Sequence, residues 1–327
     1  MKLSRIMFNV GIALPLVCGI PARAGNVFVS DSGDGTIVQF DSAGNESVFV
    51  SGLNNPAGLA FDESGNLYVA NSGAGTILRF DGSGTASVFA SGLNNPGGLA
   101  FDNNGNLYVA SQNDGTILRY GSDGIGSAFA SGLSAPQYLA FGNTGNLYVS
   151  TGSSIQEFDS IGNQTTIFSA FNDVYGLAAD SSGDLYASLQ NIGSITRILG
   201  SGGPGAPFQY PYTINPFELD PLGLAFDGSG NLYATFSELG YWDADGQSDL
   251  LNGVVMEFNP NGTGAIIAAG LSDPRYIAVQ GTQGVTVQFV PEPSSWNIAI
   301  AGLCAWFAGR SLRMTSLWHM RRLLCRW

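Results

Sequence analysis

A unit of about 40 residues that recurs along the chain constrains the fold more than any other feature. Residues 51–90 and 91–130 align without a gap and are identical at 26 of 40 positions. Further copies begin near residues 131, 171 and 221, and a last fragment covers 274–280. Self-similarity at a fixed period of this length indicates a repeat architecture in which each unit is one supersecondary element.

Each unit has the pattern of four short strands. Its apolar residues alternate or run for a few positions between clusters of Gly, Asn, Asp and Ser, which is typical of strands joined by tight turns. The turn at residues 62–66 contains Gly and Asn, which accept the positive φ of hairpin turns. Four strands per 40 residues predict a β-propeller blade. A helical solenoid is excluded because a 3.6-residue periodicity is absent from the sequence.

The repeat count predicts an all-β, six-bladed β-propeller with four-stranded antiparallel blades over residues 25–290. The first strand of the unit occurs six times, as does the second. Because the chain starts at a second strand and ends after a first strand, residues 276–279 should pair with the N-terminal strands and remove an open sheet edge. Residues 284–289 also have a strand pattern, which fits an edge strand or a lead into the C-terminal tail.

The consensus of the unit is similar to a known family. The pattern Pro-x-Gly-Leu-Ala-Phe-Asp-x-x-Gly-Asn-Leu-Tyr-Val-Ala, followed by Gly-Thr-Ile-Leu-Arg-Phe, resembles NHL-repeat propellers and the related gluconolactonase-like propellers. The resemblance extends over about residues 25–280 and implies the six-bladed fold. It leaves function open, because propellers include hydrolases, lyases and binding modules.

The N-terminus has the pattern of a signal peptide over residues 1–24. Lys2 and Arg5 precede an apolar stretch, and Ala22-Arg23-Ala24 supplies the small residues that signal peptidase requires. An N-terminal membrane anchor is less favoured, because about 15 apolar residues fall short of the roughly 20 needed to span a bilayer.

The C-terminal residues 291–327 have the pattern of a sorting tail. The motif Pro291-Glu292-Pro293 precedes an apolar run at 296–309 and an arginine-rich end. This order resembles the PEP-CTERM signal of exported bacterial proteins. The resemblance implies a transient membrane helix, cleavage by an exosortase-type membrane peptidase, and a final location at the cell surface or outside the cell. Arginines on the cytoplasmic side fit this topology. An ordinary anchor that is never cleaved remains the alternative.

The charge of the predicted propeller excludes several partners. Residues 25–290 contain four arginines and 24 acidic residues, a formal charge of −20. Such a field repels nucleic acid and anionic lipid and favours cations. All three cysteines lie in the terminal segments, so disulfides cannot stabilise the propeller.

The residue inventory also limits catalysis. The only histidine is His319 and the only lysine is Lys2, both outside residues 25–290. A Ser-His-Asp triad, a Cys-His pair, a lysine Schiff base and a histidine metal site are therefore excluded there, as are the histidine-dependent lyases of the NHL group.

Carboxylate chemistry is what remains. The gluconolactonase-like resemblance implies a divalent metal at the channel mouth, but the first unit lacks the matching glutamate. Four aspartates recur at one turn position and are interpreted as turn caps: Asp62, Asp102, Asp180 and Asp227. The sequence therefore favours an exported binding module, associated with the cell surface or an extracellular polysaccharide matrix, over an enzyme. A metal-dependent hydrolase or lactonase is the alternative.

The candidate ligand site lies where the units differ. Two positions before the Leu-Ala of the first strand vary, and first strands line a propeller channel. The larger residues should cluster on one side of the channel mouth, with glycines opposite them. These larger residues are Gln137, Tyr138, Tyr175, Arg275 and Tyr276. The simpler interpretation is that Tyr138 and Tyr276 only fill the axis.

A candidate cation site lies in an insertion in the last full unit. Asp243, Asp245 and Asp249 fit part of a calcium loop in which alternate carboxylates converge on one ion. Tyr241 replaces the first aspartate and Asn252 replaces the final glutamate, so a complete EF-hand is excluded. Calcium is the candidate ion, and an acidic solvated loop is the alternative.

Overall fold

The computed structural model describes residues 25–190, 193–199, 203–207, 219–242 and 248–281, all within the unit Met1–Val285. These residues form an all-β propeller of antiparallel sheets. In this part of the chain, no helix is long and apolar enough to cross a membrane. The following predicted features lie outside the described residues: the signal peptide 1–24, the strand at 284–289, and the tail 291–327 with Pro291, Glu292 and Pro293.

The strands of the first half follow the apolar runs between turn clusters. They are β1 (Val27–Asp31), β2 (Thr36–Phe40), β3 (Glu46–Val50), β4 (Pro56–Phe61), β5 (Leu67–Asn71), β6 (Thr76–Phe80), β7 (Ala86–Ser91), β8 (Pro96–Phe101), β9 (Leu107–Ser111), β10 (Thr116–Tyr120) and β11 (Gly126–Ala130). A 3-10 turn, Ser72–Ala74, follows β5.

The second half continues in the same way but with several longer strands. They are β12 (Leu139–Phe141), β13 (Leu147–Ser150), β14 (Gly152–Phe158), β15 (Gln164–Ala179), β16 (Leu185–Leu189), β17 (Ser194–Leu199), β18 (Gly203–Pro207), β19 (Leu219–Phe226), β20 (Leu232–Trp242), β21 (Ser248–Phe258), β22 (Gly264–Ala268) and β23 (Pro274–Val279).

The described strands form four four-stranded sheets and one seven-stranded sheet. The four-stranded sheets have the orders β23-β1-β2-β3, β4-β5-β6-β7, β8-β9-β10-β11 and β19-β20-β21-β22, and the larger sheet runs from β12 to β18. Six separate four-stranded blades were predicted. The difference arises because β15 continues without a break through residues 169–174, which contain neither Gly nor Pro, whereas residues 91–96 and 131–136 contain both.

The predicted closure of the ring is confirmed. β23 pairs with β1 in antiparallel register from Val27 opposite Val279 to Ser30 opposite Tyr276. The Gln280 N–H donates to the Asn26 carbonyl at 2.8 Å. This pairing joins the two ends of the described chain and protects the inner edge of β1.

The innermost strands surround the axis and run in the same direction. They contact one another in the order β23, β4, β8, β12, β15, β19 and back to β23. Glycines allow this approach, because a Cβ at Gly98 or Gly223 would collide with the backbone of the next inner strand. We call the face where inner strands begin, at Pro56, Pro96 and Pro274, the proline face. The opposite face, where they end, is the aspartate face.

The aspartates at the turns cap those turns, as predicted. Asp62 Oδ1 accepts the Asn66 N–H at 2.8 Å, and Asp62 Oδ2 accepts from Asn66 Nδ2 at 2.7 Å. Asp102 and Asp227 make the same pair of bonds, and Asp180 accepts two backbone N–H groups. The carboxylate thus satisfies donors that a tight turn would leave unpaired.

Candidate functional site

The candidate site lies where two units have tyrosine at a position that is glycine in the other units. At equivalent positions of the inner strands, Gly58, Gly98 and two further glycines pack against the neighbouring backbone. Tyr138, just before β12, and Tyr276, on β23, occupy this position instead, and β12 and β23 lie across the axis from each other in the order of contacts. Their side chains meet near the axis as a consequence.

The two tyrosine rings are stacked on each other. The ring centroids of Tyr138 and Tyr276 lie 4.2 Å apart with an interplanar angle of 19°. The Tyr138 hydroxyl donates to the Arg275 carbonyl at 2.7 Å. Both residues are more than nine-tenths buried. The pair therefore fills space at the axis, in agreement with the simpler interpretation of these two residues.

Buried hydroxyl groups hold the backbone of this pair. Ser150 Oγ accepts the Tyr138 N–H at 3.0 Å, and Ser30 Oγ accepts the Tyr276 N–H at 3.1 Å. Burial raises the pKa of Tyr138 and of Tyr276 well above the ordinary tyrosine value. Both hydroxyls are therefore protonated at physiological pH, and neither can act as a base.

Tyr175 and Arg275 surround the stacked pair. The Tyr175 ring is partly buried and lies 6.4 Å from the Tyr138 ring, tilted by 60°. Arg275 Nε donates to Asp273 Oδ2 at 2.7 Å, and the two side chains are 51% and 31% exposed. Partial burial opposes the charge of Arg275, but Asp273, Tyr138 and Tyr175 together raise the pKa of the guanidinium above its ordinary value. The ion pair is accessible to solvent.

Gln137 joins the site through its backbone. Its N–H donates to the Ser150 carbonyl at 2.9 Å, and its carbonyl accepts from Gly98 at 2.6 Å. Its side-chain oxygen Oε1 is buried and accepts no hydrogen bond from any described residue. The structure thus brings Tyr138, Tyr175, Arg275 and Tyr276 together. Gln137 precedes Tyr138 in the segment that leads into β12.

Asp31 is a supporting residue that the repeat pattern did not reveal. Its Oδ1 and Oδ2 accept the N–H groups of Asp273 and Ser272 at 2.6 and 2.9 Å. The loop before β23, which carries Asp273 and Arg275, is therefore held by a carboxylate from the other end of the chain. In the sequence, this role is indicated only by the polar residues Asn71 and Ser111 at the equivalent strand ends. In the structure, Asn71 Oδ1 likewise accepts the Asn54 N–H at 2.7 Å.

The predicted cation loop is only partly within the described residues. Asp243 and Asp245 lie outside them, and Asp249 lies on β21 opposite Tyr241 of β20. Over the described ranges, no group of three or more His, Cys, Asp or Glu residues could hold a metal ion. The calcium site remains a prediction.

A concave region lies away from the channel. A groove of about 490 Å³ separates the outer strand β7 from β10 and β11. Its lining includes Phe89, Leu118, Tyr120, Gly126 and Ala128. It contains none of the predicted site residues.

Comparison with known proteins identifies the repeat and the fold. The NHL repeat family model matches residues 53–80. No curated protein matches the chain in sequence. A chain of the nidogen/laminin complex has a TM-score of 0.63 at 17% identity, covering 79% of this chain and 99% of that chain. A putative gluconolactonase has a TM-score of 0.56 at 19% identity, and the match covers 72% of this chain and 87% of that chain.

A lyase also has this fold. A catalytically inactive His-to-Ala variant of virginiamycin B lyase from Staphylococcus aureus, solved with quinupristin, has a TM-score of 0.55 at 16% identity. The match covers 74% of this chain and 88% of that chain. At such identities these proteins share the propeller fold with this chain, and function must be argued from its own site.

Proposed function

We propose that the chain is a six-bladed propeller in which β15 serves two blades. Residues Gln164 to Ser169 pair with β14, residues Leu177 to Ala179 pair with β16, and Val174 between them pairs with both strands. Divided there, the seven-stranded sheet becomes two blades joined by an uninterrupted strand. This division supports the count of six that the repeats predict.

We further propose that the protein is an exported binding module whose ligand occupies the channel mouth on the proline face. The observation that carries this proposal is the cluster of Tyr175, Arg275 and Asp273 above the stacked tyrosines. It combines a partly exposed aromatic ring with an accessible donor and acceptor, which is the composition of sites for polar organic ligands.

The residue inventory favours binding over catalysis. The similar lyase from S. aureus is catalytically inactive when one histidine is replaced by alanine, whereas residues 25–290 of this chain contain no histidine. The stacked tyrosines are protonated and cannot take a proton from a substrate. A metal-dependent hydrolase or lactonase is the second candidate, because a putative gluconolactonase shares the fold.

The two ends of the described chain meet on the aspartate face, where Asn26 and Gln280 are hydrogen bonded to each other. We propose that signal peptidase removes the signal peptide and that an exosortase-like enzyme processes the sorting tail. This processing would deliver the binding module to the cell surface or to the outside of the cell.

Binding to the native surface material tests this function. The full chain should sediment with extracellular polysaccharide from the producing cells, and the double variant Tyr175→Ala with Arg275→Ala should not. The matched control is Arg119→Ala with Ile161→Ala, which lie on the third strand of one unit and in an exposed turn of the next, away from the inner strands. Equal sedimentation of the wild type and the channel-mouth variant would contradict the proposed site.

A turnover assay separates the two candidate functions. Lactones and sugar esters are incubated with the protein in the presence of millimolar calcium or magnesium. We expect no turnover above that of the double variant. Metal-dependent turnover that the channel-mouth variant loses would replace the binding function with the hydrolase.

A further inference from the structure

The channel mouth carries no excess of positive charge. Arg275 is paired with Asp273 through Nε at 2.7 Å, which leaves its terminal nitrogens for a ligand. The stacked tyrosines in the floor and the Tyr175 ring are neutral, and the buried carboxylate of Asp31 lies behind the loop that carries Asp273. A ligand at this position therefore meets a paired arginine and no net positive field.

The surroundings disfavour an anionic ligand. The other three arginines of residues 25–290 lie on the third strand of their units, away from the inner strands: Arg79, Arg119 and Arg197. Against them stand 24 acidic residues. A polyanion approaching the mouth would experience repulsion that the single, already paired Arg275 cannot offset.

The groups present match a polyhydroxylated ligand. A hydroxyl both donates and accepts hydrogen bonds, so it can bridge a guanidinium donor and a carboxylate acceptor that lie side by side. A partly exposed tyrosine ring offers an apolar face for the C–H side of a sugar ring.

We infer that the channel mouth binds a neutral carbohydrate, with one sugar ring against Tyr175 and its hydroxyls on Arg275 and Asp273. This inference rests on the proposed function and narrows its ligand. The stacked tyrosines close the axis beneath the site, so the sugar is held at the proline face as the end or a side branch of a polymer and is not threaded through the channel.

Affinity electrophoresis of the full chain tests the inference. The neutral probes are dextran, xyloglucan and galactomannan, and the acidic probes are alginate and polygalacturonate. At least one neutral polymer should retard the protein, and added salt should change this little because no net charge is neutralised. Tyr175→Ala should weaken binding about tenfold, Tyr175→Phe should retain most of it, and the exposed-turn control Ile161→Ala should match the wild type.

Each other outcome has a defined meaning. Salt-sensitive binding of an acidic polymer, lost in Tyr175→Ala and in Arg275→Ala, would overturn the neutral ligand and leave the proposed function intact. Binding that neither variant weakens would overturn both the site and the function. Failure of every polymer to bind the wild type would overturn the carbohydrate inference. Retained binding by Tyr175→Phe would show that misfolding is not the reason why Tyr175→Ala binds less.

Discussion

Ala135 has a backbone conformation that suits another residue. Its φ is +45°, and it precedes Pro136, which restricts the residue before it further. Asn55 and Asn95 occupy the equivalent positions of two other units, with φ of +51° and +56°. Asparagine tolerates this region far better than alanine. The third unit therefore carries local strain that its neighbours avoid.

Replacing Ala135 with the residue of its sister units should relieve that strain. We expect Ala135→Asn to raise the free energy of unfolding by about 1 kcal/mol, measured by urea denaturation. The reciprocal change Asn55→Ala should lower it by a similar amount. Ala43→Asn, at an exposed position without positive φ, should change little. Equal stability of Ala135→Asn and the wild type would show that the loop carries no strain.

The turn carboxylates make stability depend on acid. Hydrogen bonds from Asn45, Ser83 and Asn163 lower the pKa values of Asp41, Asp81 and Asp159, respectively, below the ordinary 3.8. Because the folded state favours the ionised form, this stabilisation is complete above pH 3.8 and is lost as pH falls through the lowered values.

The triple variant Asp41→Asn, Asp81→Asn, Asp159→Asn tests that sign. Asparagine keeps an acceptor, as Asn259 does for the Thr263 N–H in the equivalent turn. The unfolding free energy of the variant should therefore fall less steeply than that of the wild type as pH is lowered through 3.8. Parallel pH profiles would show that these turns do not contribute to the acid sensitivity.

At the level of elements, the joint between β1 and β23 determines whether the ring closes. Asp31 is almost fully buried and accepts both N–H groups of the loop before β23. Removing the carboxylate leaves two donors unpaired, and each such loss costs about 1–3 kcal/mol. The same loop positions Arg275, so ring closure and the candidate site depend on one residue.

The variant Asp31→Ala should therefore lower the free energy of unfolding by about 2–4 kcal/mol. Amide hydrogen exchange should show faster exchange at Ser272, Asp273 and the residues of β23. Asp34→Ala, an exposed acid in the following turn, is the matched control and should change neither quantity. Unchanged protection of β23 in Asp31→Ala would mean that strand pairing alone closes the ring.

Much of the element layout could be predicted because every unit carries its own turn residues and alternation. The capping aspartates and the closing strand follow from that pattern. The fused strand β15 does not follow from that pattern, because residues 169–174 lack the Gly and Pro that end the equivalent strands of other units. The bonds of Asp31 and the stack of Tyr138 on Tyr276 could not be derived from local pattern. Asp31 is 241 positions from Ser272, and Tyr138 is 138 positions from Tyr276, so only a closed ring brings the members of each pair together.

At the level of the whole molecule, the sorting tail should be the membrane attachment. Deleting residues 290–327 should move the protein from the membrane fraction to the soluble fraction, because the acidic residues of 25–290 oppose binding to anionic lipid. Persistent membrane association of the truncated chain would contradict this.

The motif variant Pro291→Ala with Glu292→Ala distinguishes a cleaved sorting signal from an anchor that is never cleaved. If the wild-type tail is cleaved, the variant should remain in the membrane as the full-length protein. If the tail is an uncleaved anchor, the variant and the wild type should behave alike.

The central claim is that ligand binding occurs at the channel mouth of the proline face. Hydrogen exchange of the full chain with and without extracellular polysaccharide from the producing cells tests it most directly. The account predicts slower exchange on binding at the starts of the inner strands, at residues 137–139, 175–177 and 275–277. Slower exchange confined to the outer strands β3, β7, β11 and β22, or to the turns of the aspartate face, would contradict it.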